Sequence, residues 1–133
     1  MTRIVAHHQI KLNEEINMQY LLTIYADPEI EPTPADNRWE DYMSGYFAMT
    51  KDAENAGVLR GGNALQDTST ATTVRVRNGS ATTTDGPFAE TKEVLGGYYL
   101  LDCEHLDDAI SWAKKIPGVQ YGSVEIRPIM EFD

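Results

Sequence analysis

The chain has little of what marks several common protein classes. It contains one cysteine, Cys103, among 133 residues, which excludes an internal disulfide framework and fits a reducing cytoplasm. No stretch approaches the roughly 20 consecutive apolar residues of a membrane-spanning helix. Residues 1–17 lack the compact apolar segment of a signal peptide. We therefore expect a cytoplasmic protein without a membrane span.

Basic side chains are also scarce. Lysine and arginine together number 11 against 21 acidic residues, and the formal net charge is −10. Proteins bind nucleic acids largely by neutralising phosphates with basic side chains, and this chain has neither a dense basic run nor a basic stripe. The same charge disfavours binding to anionic membrane surfaces. We expect no nucleic-acid or membrane partner.

Motifs for metals, phosphates and covalent nucleophiles are missing as well. The chain has no CxxC or HExxH pattern, no nucleophile elbow and no phosphate-binding loop, for which Gly61-Gly62 alone does not suffice. His7-His8 is a weak metal signal because no further ligands accompany it, and a flexible or partner-docked tail is the default interpretation. We expect neither a metal nor a cofactor.

What the chain does have is the pattern of one globular domain, since its length fits the prior of roughly 100–200 residues per domain. Apolar and β-branched runs predict six strands, and apolar residues three and four positions apart predict two helices. The predicted strands are 18–25, 58–65, 72–77, 80–84, 97–103 and 123–130. The second helix is predicted at 106–115, ending at Pro117-Gly118, and Val124 and Ile126 are expected to face the core.

The first helix has the clearest signals. Asn37 followed by Glu40 resembles a helix start, and Gly57 lies where a left-handed C-terminal cap would fall. We predict that one helix face belongs to the core, its residues being Trp39, Tyr42, Met43, Tyr46, Phe47, Thr50 and Ala53.

Asn78-Gly79 is the strongest hairpin signal, because these residues tolerate the positive φ angles of a type I′ turn. After the hairpin, Asp85-Gly86-Pro87-Phe88 opens a connector of about a dozen residues, longer than a plain turn needs and in the usual place for function. We expect this connector to frame a ligand cleft.

The order of elements is strand, helix, strand, hairpin, strand, helix, strand. This predicts an α+β fold, a ferredoxin-like β-α-β…β-α-β sandwich with an inserted β-hairpin. Two helices cover only one face of such a sheet, yet residues 20–25 and 98–101 are apolar on both faces. A second identical subunit would cover the open face, so we expect a homodimer. The alternative is a monomer with a few exposed aromatic residues.

Residues 18–130 resemble the YCII-related family, in the branch that carries a DGPF motif. The matching runs are Tyr20-Leu21-Leu22, Ala71-Thr72-Thr73-Val74-Arg75, Asp85 to Glu93, Leu95-Gly96-Gly97-Tyr98-Tyr99, Trp112-Ala113, Ile116-Pro117 and Gly118 to Pro128. The resemblance implies a ferredoxin-like subunit, residues 18–133, that assembles into a dimeric α/β barrel, with residues 1–17 as an extension. Members of this branch often lack a known activity. Some lie beside genes for extracytoplasmic-function sigma factors, which implies a regulatory link.

The resemblance also bears on catalysis. Better-characterised YCII-type proteins carry a histidine on the first helix and an aspartate after the second, proposed as an acid–base pair. When Gly57 and the Ile116-Pro117 corner are matched to that pattern, the histidine position falls on Tyr46 and the aspartate position on Ile116. Tyrosine and isoleucine cannot reproduce a pair in which a carboxylate orients and tunes an imidazole.

Other side chains are candidates for a site. A carboxylate in an apolar cleft can have a raised pKa and act as a general base, and Asp85 is the first candidate, with turn support as the equal alternative. Tyr46 is the second candidate for proton transfer. Candidate ligand-binding residues are Phe88, Glu90, Lys92, Tyr98 and Arg60.

The structural alternatives are specific. Glu90 and Lys92 would form a solvated pair, and Phe88 would pack over its own core or across a dimer seam. Arg60 would form a surface ion pair. His105 is expected to be exposed or to cap the second helix, and Cys103 is expected to be a buried, inert thiol.

Three functions follow from these residues. The first is a homodimer that binds a small ligand or regulates without catalysis, with its cleft framed by residues 85–92. The second is a small lyase- or isomerase-like enzyme that uses Asp85 or Tyr46 for proton transfer. The third is an interaction module linked to sigma-factor regulation.

Overall fold

The computed structural model describes residues 17–132, and these form a mixed α+β structure. The helices and strands are β1 (Met18–Ala26), α1 (Trp39–Asn55), β2 (Leu59–Ala64), β3 (Thr72–Arg77), β4 (Ser80–Asp85), β5 (Val94–Cys103), α2 (Leu106–Ala113) and β6 (Gly122–Pro128). The α+β class is therefore confirmed, and each predicted helix and strand is present within a few residues of its expected position. Neither helix is long and apolar enough to cross a membrane in this described part of the chain.

The main sheet has four antiparallel strands in the order β2-β5-β1-β6. β1 pairs along its length with β5 on one side and with β6 on the other, so it lies at the centre. The strands β3 and β4 pair only with each other and form a separate two-stranded sheet.

The core lies between the sheet and the helices. Because successive side chains of a strand point to opposite faces, Tyr20, Leu22 and Ile24 of β1 are buried toward the helices, beside Tyr99 and Leu101 of β5. The residues that the helices and the following turn pack against them are Met49, Ala53, Ala109, Ala113 and Ile116. Val124 and Ile126 contact this core, as predicted.

The other face of the sheet carries Leu21 and Tyr25 of β1 and Leu100 of β5, which are partly exposed. Leu21 pairs with Leu100 across the strands, and Tyr25 pairs with Leu95. The described residues thus leave an apolar patch on the side of the sheet away from the helices.

The first helix begins one residue later than its capping signal predicts. Its N-cap is Arg38, which makes no side-chain cap. The carboxylate of Asp36 instead accepts the backbone N–H of Arg38 at 2.9 Å and pairs with the guanidinium of the same residue. At the other end Gly57 has a φ of +75°, so the predicted left-handed cap is confirmed.

The prediction that Phe47 belongs to the core is wrong, because this side chain is 69% exposed. The buried stripe of α1 runs through Tyr42, Met49 and Ala53. At 100° per residue, Phe47 lies about 120° around the helix from Ala53 and therefore off that stripe.

The hairpin prediction is confirmed. Asn78 and Gly79 have φ angles of +53° and +80°, as a type I′ turn requires. The predicted long connector is shorter than expected, since β4 extends to Asp85 and β5 starts at Val94, which leaves residues 86–93 between them. Glycines at 96 and 97 hid the start of β5 in the sequence.

The second helix ends at Ala113, before the predicted Lys115, and a short 3₁₀ turn, Pro117–Gln120, connects it to β6. His105 is exposed at the N-cap, where its backbone N–H donates to the Asp108 carboxylate at 3.2 Å. The expected position of His105 at the helix start is confirmed.

At Gly122 the backbone of β6 lies very close to that of β1. This contact predicts how a larger residue at position 122 changes the stability of the fold. A Cβ atom there would lie 2.0 Å from the carbonyl oxygen of Tyr25 and 2.7 Å from Cα of Ala26, and backbone cannot yield easily. We expect Gly122→Ala to lower the free energy of unfolding by about 1–3 kcal/mol, the usual cost of overpacking. The free energy of unfolding of each variant is measured by urea unfolding.

Gly96→Ala is the matched control, because a Cβ atom there meets nothing within 4 Å. Equal stability of the two variants would contradict the close approach at Gly122.

Candidate functional site

A cavity of about 370 Å³ lies between α1 and the end of the sheet where β2 stops and β5 starts. The helix contributes Tyr42 of its buried stripe and the flank beside it, namely Trp39, Met43, Tyr46, Phe47 and Thr50. Residues of the sheet that face it include Ile24, Ala64 and Tyr99. The mostly apolar wall with a few polar groups is typical of a small-molecule site.

The periodicity of α1 explains why these side chains meet. Residues three and four apart fall on one side of a helix, so the rings of Trp39, Tyr42 and Tyr46 form a row. The Trp39 and Tyr42 rings are tilted at a centroid distance of 6.2 Å, and Tyr42 meets Tyr46 edge to face at 5.3 Å. Such geometries are favourable beyond the area that they bury.

Glu31 brings a carboxylate to the cavity, and sequence reasoning missed it. The Asp27-Pro28 turn after β1 folds the chain back, since Asp27 is buried and its carbonyl accepts the backbone N–H of Ile30 and Glu31. The Tyr42 hydroxyl then donates to Oε2 of Glu31 at 2.5 Å. The only signal in the sequence was a turn former directly after a buried strand.

The Tyr46 side chain lines the cavity, and its hydroxyl lies against the turn before β6. A Cβ atom at Gly118 would lie 2.6 Å from this oxygen, so a larger residue there would displace the Tyr46 ring. Burial raises the pKa of Tyr46, while hydrogen bonding with Tyr42 and with the Gly118 backbone acts in the opposite direction. A raised pKa keeps the phenol protonated at neutral pH.

Two further tyrosines that line the cavity also have raised pKa values. Burial raises the pKa of Tyr42, and the hydrogen bond to Glu31 raises it further. Burial also raises the pKa of Tyr99, whose hydroxyl shares a hydrogen bond with Thr50 Oγ1 at 2.8 Å. These phenols are hydrogen-bonding groups rather than bases.

Of the catalytic and ligand-binding residues that the sequence predicted, the structure brings only Tyr46 and Tyr98 to this cavity. Tyr98 lies at the pairing of β5 with β2, where its hydroxyl accepts from the Asn63 side-chain amide at 2.8 Å. Asp85, Glu90 and Lys92 are exposed and line no part of the cavity among the described residues. The connector therefore does not frame this cavity within one chain.

The connector is instead fastened to the hairpin. Thr73 Oγ1 donates to the Gly86 carbonyl at 2.8 Å, and the Gly86 N–H donates to the Ala71 carbonyl at 2.7 Å. Arg75 donates through Nη2 to the Phe88 carbonyl at 3.1 Å. The Phe88 ring is 77% exposed, so it does not pack over the core of its own chain.

Arg60 also lies outside the cavity. Its guanidinium donates to the Asp102 carboxylate at 2.9 Å and to the Gly57 carbonyl at 3.0 Å. These contacts fit the ion-pair interpretation of this residue.

Cys103 lines a larger depression along α2, of about 480 Å³. Asn17, the first described residue, forms part of its wall. Cys103 itself is buried, and burial raises its pKa to about 11. Little thiolate forms at neutral pH, so the thiol is unreactive.

The described residues contain no group of three or more side chains that could hold a metal ion. His7-His8 and the rest of the predicted tail up to residue 16 lie outside the described residues.

Comparison with known proteins gives a family. The YCII-related domain matches residues 18–133 of the chain. An uncharacterized protein of Rhizobium meliloti (strain 1021) is 35% identical over 114 residues, which cover 84% of this chain and 92% of that relative. The resemblance seen in the sequence motifs is confirmed.

The raised pKa of Tyr46 predicts how stability changes in alkali. The unfolded chain releases this proton from about pH 10, whereas the folded chain holds it longer. The contribution of this phenol to the free energy of unfolding is therefore fully present below pH 10. It falls as the pH rises above 10, by at most about 1.4 kcal/mol per pH unit. We expect the fall to be shallower in Tyr46→Phe, measured by urea unfolding across this range.

Tyr25→Phe is the control for the loss of a tyrosine hydroxyl, because it removes one from the opposite face of the sheet. A slope in Tyr46→Phe as steep as in the parent protein would show that this phenol titrates normally.

Proposed function

The chain belongs to the YCII-related domain family, and we propose that it is a homodimeric protein that binds a small ligand in the cavity beside α1. The observation that carries the proposal is this cavity of about 370 Å³, lined by aromatic rings and a few hydroxyl groups. Ligand sites in proteins are mostly apolar hollows of roughly 300–1,000 Å³ with few, well-placed polar groups. The cavity is at the small end of that range.

Binding is supported better than proton transfer. Tyr46 holds its proton at neutral pH, so it can donate a hydrogen bond but is a poor general base. Ile116, at the position of the family aspartate, is a fully buried aliphatic residue. Asp85 is exposed and remote from the cavity. Neither of the two residues named for proton transfer, Asp85 and Tyr46, is therefore placed as a base at this site.

The proposed subunit architecture is ferredoxin-like. Without the hairpin, the element order is β-α-β…β-α-β, and the last strand lies beside the first. Both helices pack on one face of the sheet, which leaves Leu21, Tyr25 and Leu100 on the other. A second copy that packs its own open face there would complete a dimeric α/β barrel.

The hairpin adds a second surface for the same partner. Val74 and Val76 share one face of β3 and are 62% and 59% exposed. The opposite face of β3 carries Thr73 and Arg75, which bind the connector. An apolar face that is turned outward while the polar face is covered is typical of an interaction surface. The exposed Phe88 lies in the connector that is bound to this hairpin.

Ligand binding is tested by blocking the cavity. A library of small aromatic and aliphatic fragments is screened by thermal unfolding of the full chain, and a fragment at about ten times its dissociation constant should add about 1.4 kcal/mol of stability. We expect Ala64→Phe to abolish the stabilisation, because Ala64 lines the cavity.

Ala48→Phe is the control, since Ala48 is exposed on α1 and does not line the cavity. If no fragment binds, or if both variants bind every fragment equally, the cavity is not a ligand site.

Dimerisation is tested by placing a charge on the open face of the sheet. We expect Leu100→Glu to yield folded monomers in analytical ultracentrifugation, because burying an unpaired carboxylate in an apolar interface is strongly unfavourable. Leu106→Glu introduces the same change at an exposed leucine of α2 and should stay dimeric. A parent chain that sediments as a monomer would refute the assembly.

A further inference from the structure

We infer that the ligand of this cavity is an organic cation, a protonated amine attached to an apolar body. The inference rests on the proposed ligand-binding function and adds the charge of the ligand. Three features of the cavity support it: the negative charge in its lining, the hydrogen-bonding direction of Tyr42 and Glu31, and its aromatic walls.

The charge of the lining is negative. Glu31 carries a carboxylate into the cavity, and none of the described residues that line it is a lysine, arginine or histidine. The chain as a whole has a formal charge of −10, which attracts cations and repels anions at a distance. An anionic ligand would have to lose its hydration beside Glu31 with no described counter-ion.

The basic side chain of Arg38, directly before α1, does not line the cavity. The Arg38 guanidinium binds the Asp36 carboxylate and lies 5.5 Å from the centre of the Tyr121 ring. Both contacts engage the charge of Arg38, and this residue is not among those that line the cavity.

The hydrogen-bonding direction also favours a donor. Tyr42 donates its only hydroxyl proton to Glu31, so its oxygen can only accept from a ligand. A carboxylate likewise only accepts, and its two oxygens can take more than the one bond that Tyr42 makes. An ammonium group, which has donors and no acceptor, is the complement of this pair.

The aromatic walls suit the same ligand. The Trp39, Tyr42, Tyr46 and Phe47 rings line one side of the cavity, and Tyr99 lines the other. The face of an aromatic ring attracts a cation within about 6 Å, and groups of such rings form the binding sites of quaternary ammonium ions. The rings also contact the apolar body of the ligand.

The test uses three molecules of nearly equal shape and different charge: 2-phenylethylamine, 2-phenylethanol and phenylacetate. Their dissociation constants are measured from the fluorescence of Trp39 in a Trp112→Phe background, because Trp112 is remote from the cavity. We expect the amine to bind at least about tenfold more tightly than the alcohol. Phenylacetate should bind most weakly.

The variant Glu31→Gln separates the role of the carboxylate from the shape of the site. Glutamine keeps an oxygen that accepts from Tyr42 but has no charge, so the preference for the amine over the alcohol should fall about tenfold while the affinity for the alcohol is kept. Glu29→Gln removes the same charge from an exposed position in the same loop, where salt screens it. This control should keep the preference.

The outcomes distinguish the inference from the proposed function. If library fragments bind in the cavity but the alcohol or phenylacetate binds as tightly as the amine, the inference is wrong and the ligand site stands. The same holds if the amine fails to bind at millimolar concentration while other fragments do. An unchanged preference in Glu31→Gln would also overturn the inference. If no fragment binds at all, the proposed function itself fails.

Discussion

The close contact between α1 and the turn before β6 determines where this molecule has room for a ligand. Gly45 of the helix faces Pro117, where a Cβ atom would lie 2.7 Å from Cγ, and Gly118 meets the Tyr46 hydroxyl. The helix is thus held tightly at this side of the sheet. Its aromatic flank lies on the side toward β2 and β5, which is where the cavity is found.

Most of the fold could be predicted because its signals are local. The buried alternation of β1, the Asn78-Gly79 turn and the Gly57 cap each depend on neighbouring residues. Phe47 was wrongly predicted to lie in the core because spacing gives the width of an apolar face, not how much of it the sheet covers. The cavity could be predicted only in part: Tyr46 came from its family position, whereas Glu31 required the path of the loop after β1.

The connector at residues 86–93 does not line the cavity beside α1 within one chain. Its charges and its aromatic residue pointed to a ligand cleft, but within one chain it binds the polar face of the hairpin through Thr73 and Arg75. This contact leaves the valines of β3 and the Phe88 ring directed outward. The proposed ligand site and the proposed surface for a second copy are thus built from different parts of the chain.

The contact of Tyr46 with Gly118 couples two positions that are far apart in sequence. A side chain at position 118 would press on the Tyr46 hydroxyl, and a shorter residue at 46 would relieve that contact and leave space beside the turn. Exchange of this tyrosine for histidine during evolution would thus change both the chemistry and the depth of the pocket. Related chains should therefore vary at these two sites together rather than independently.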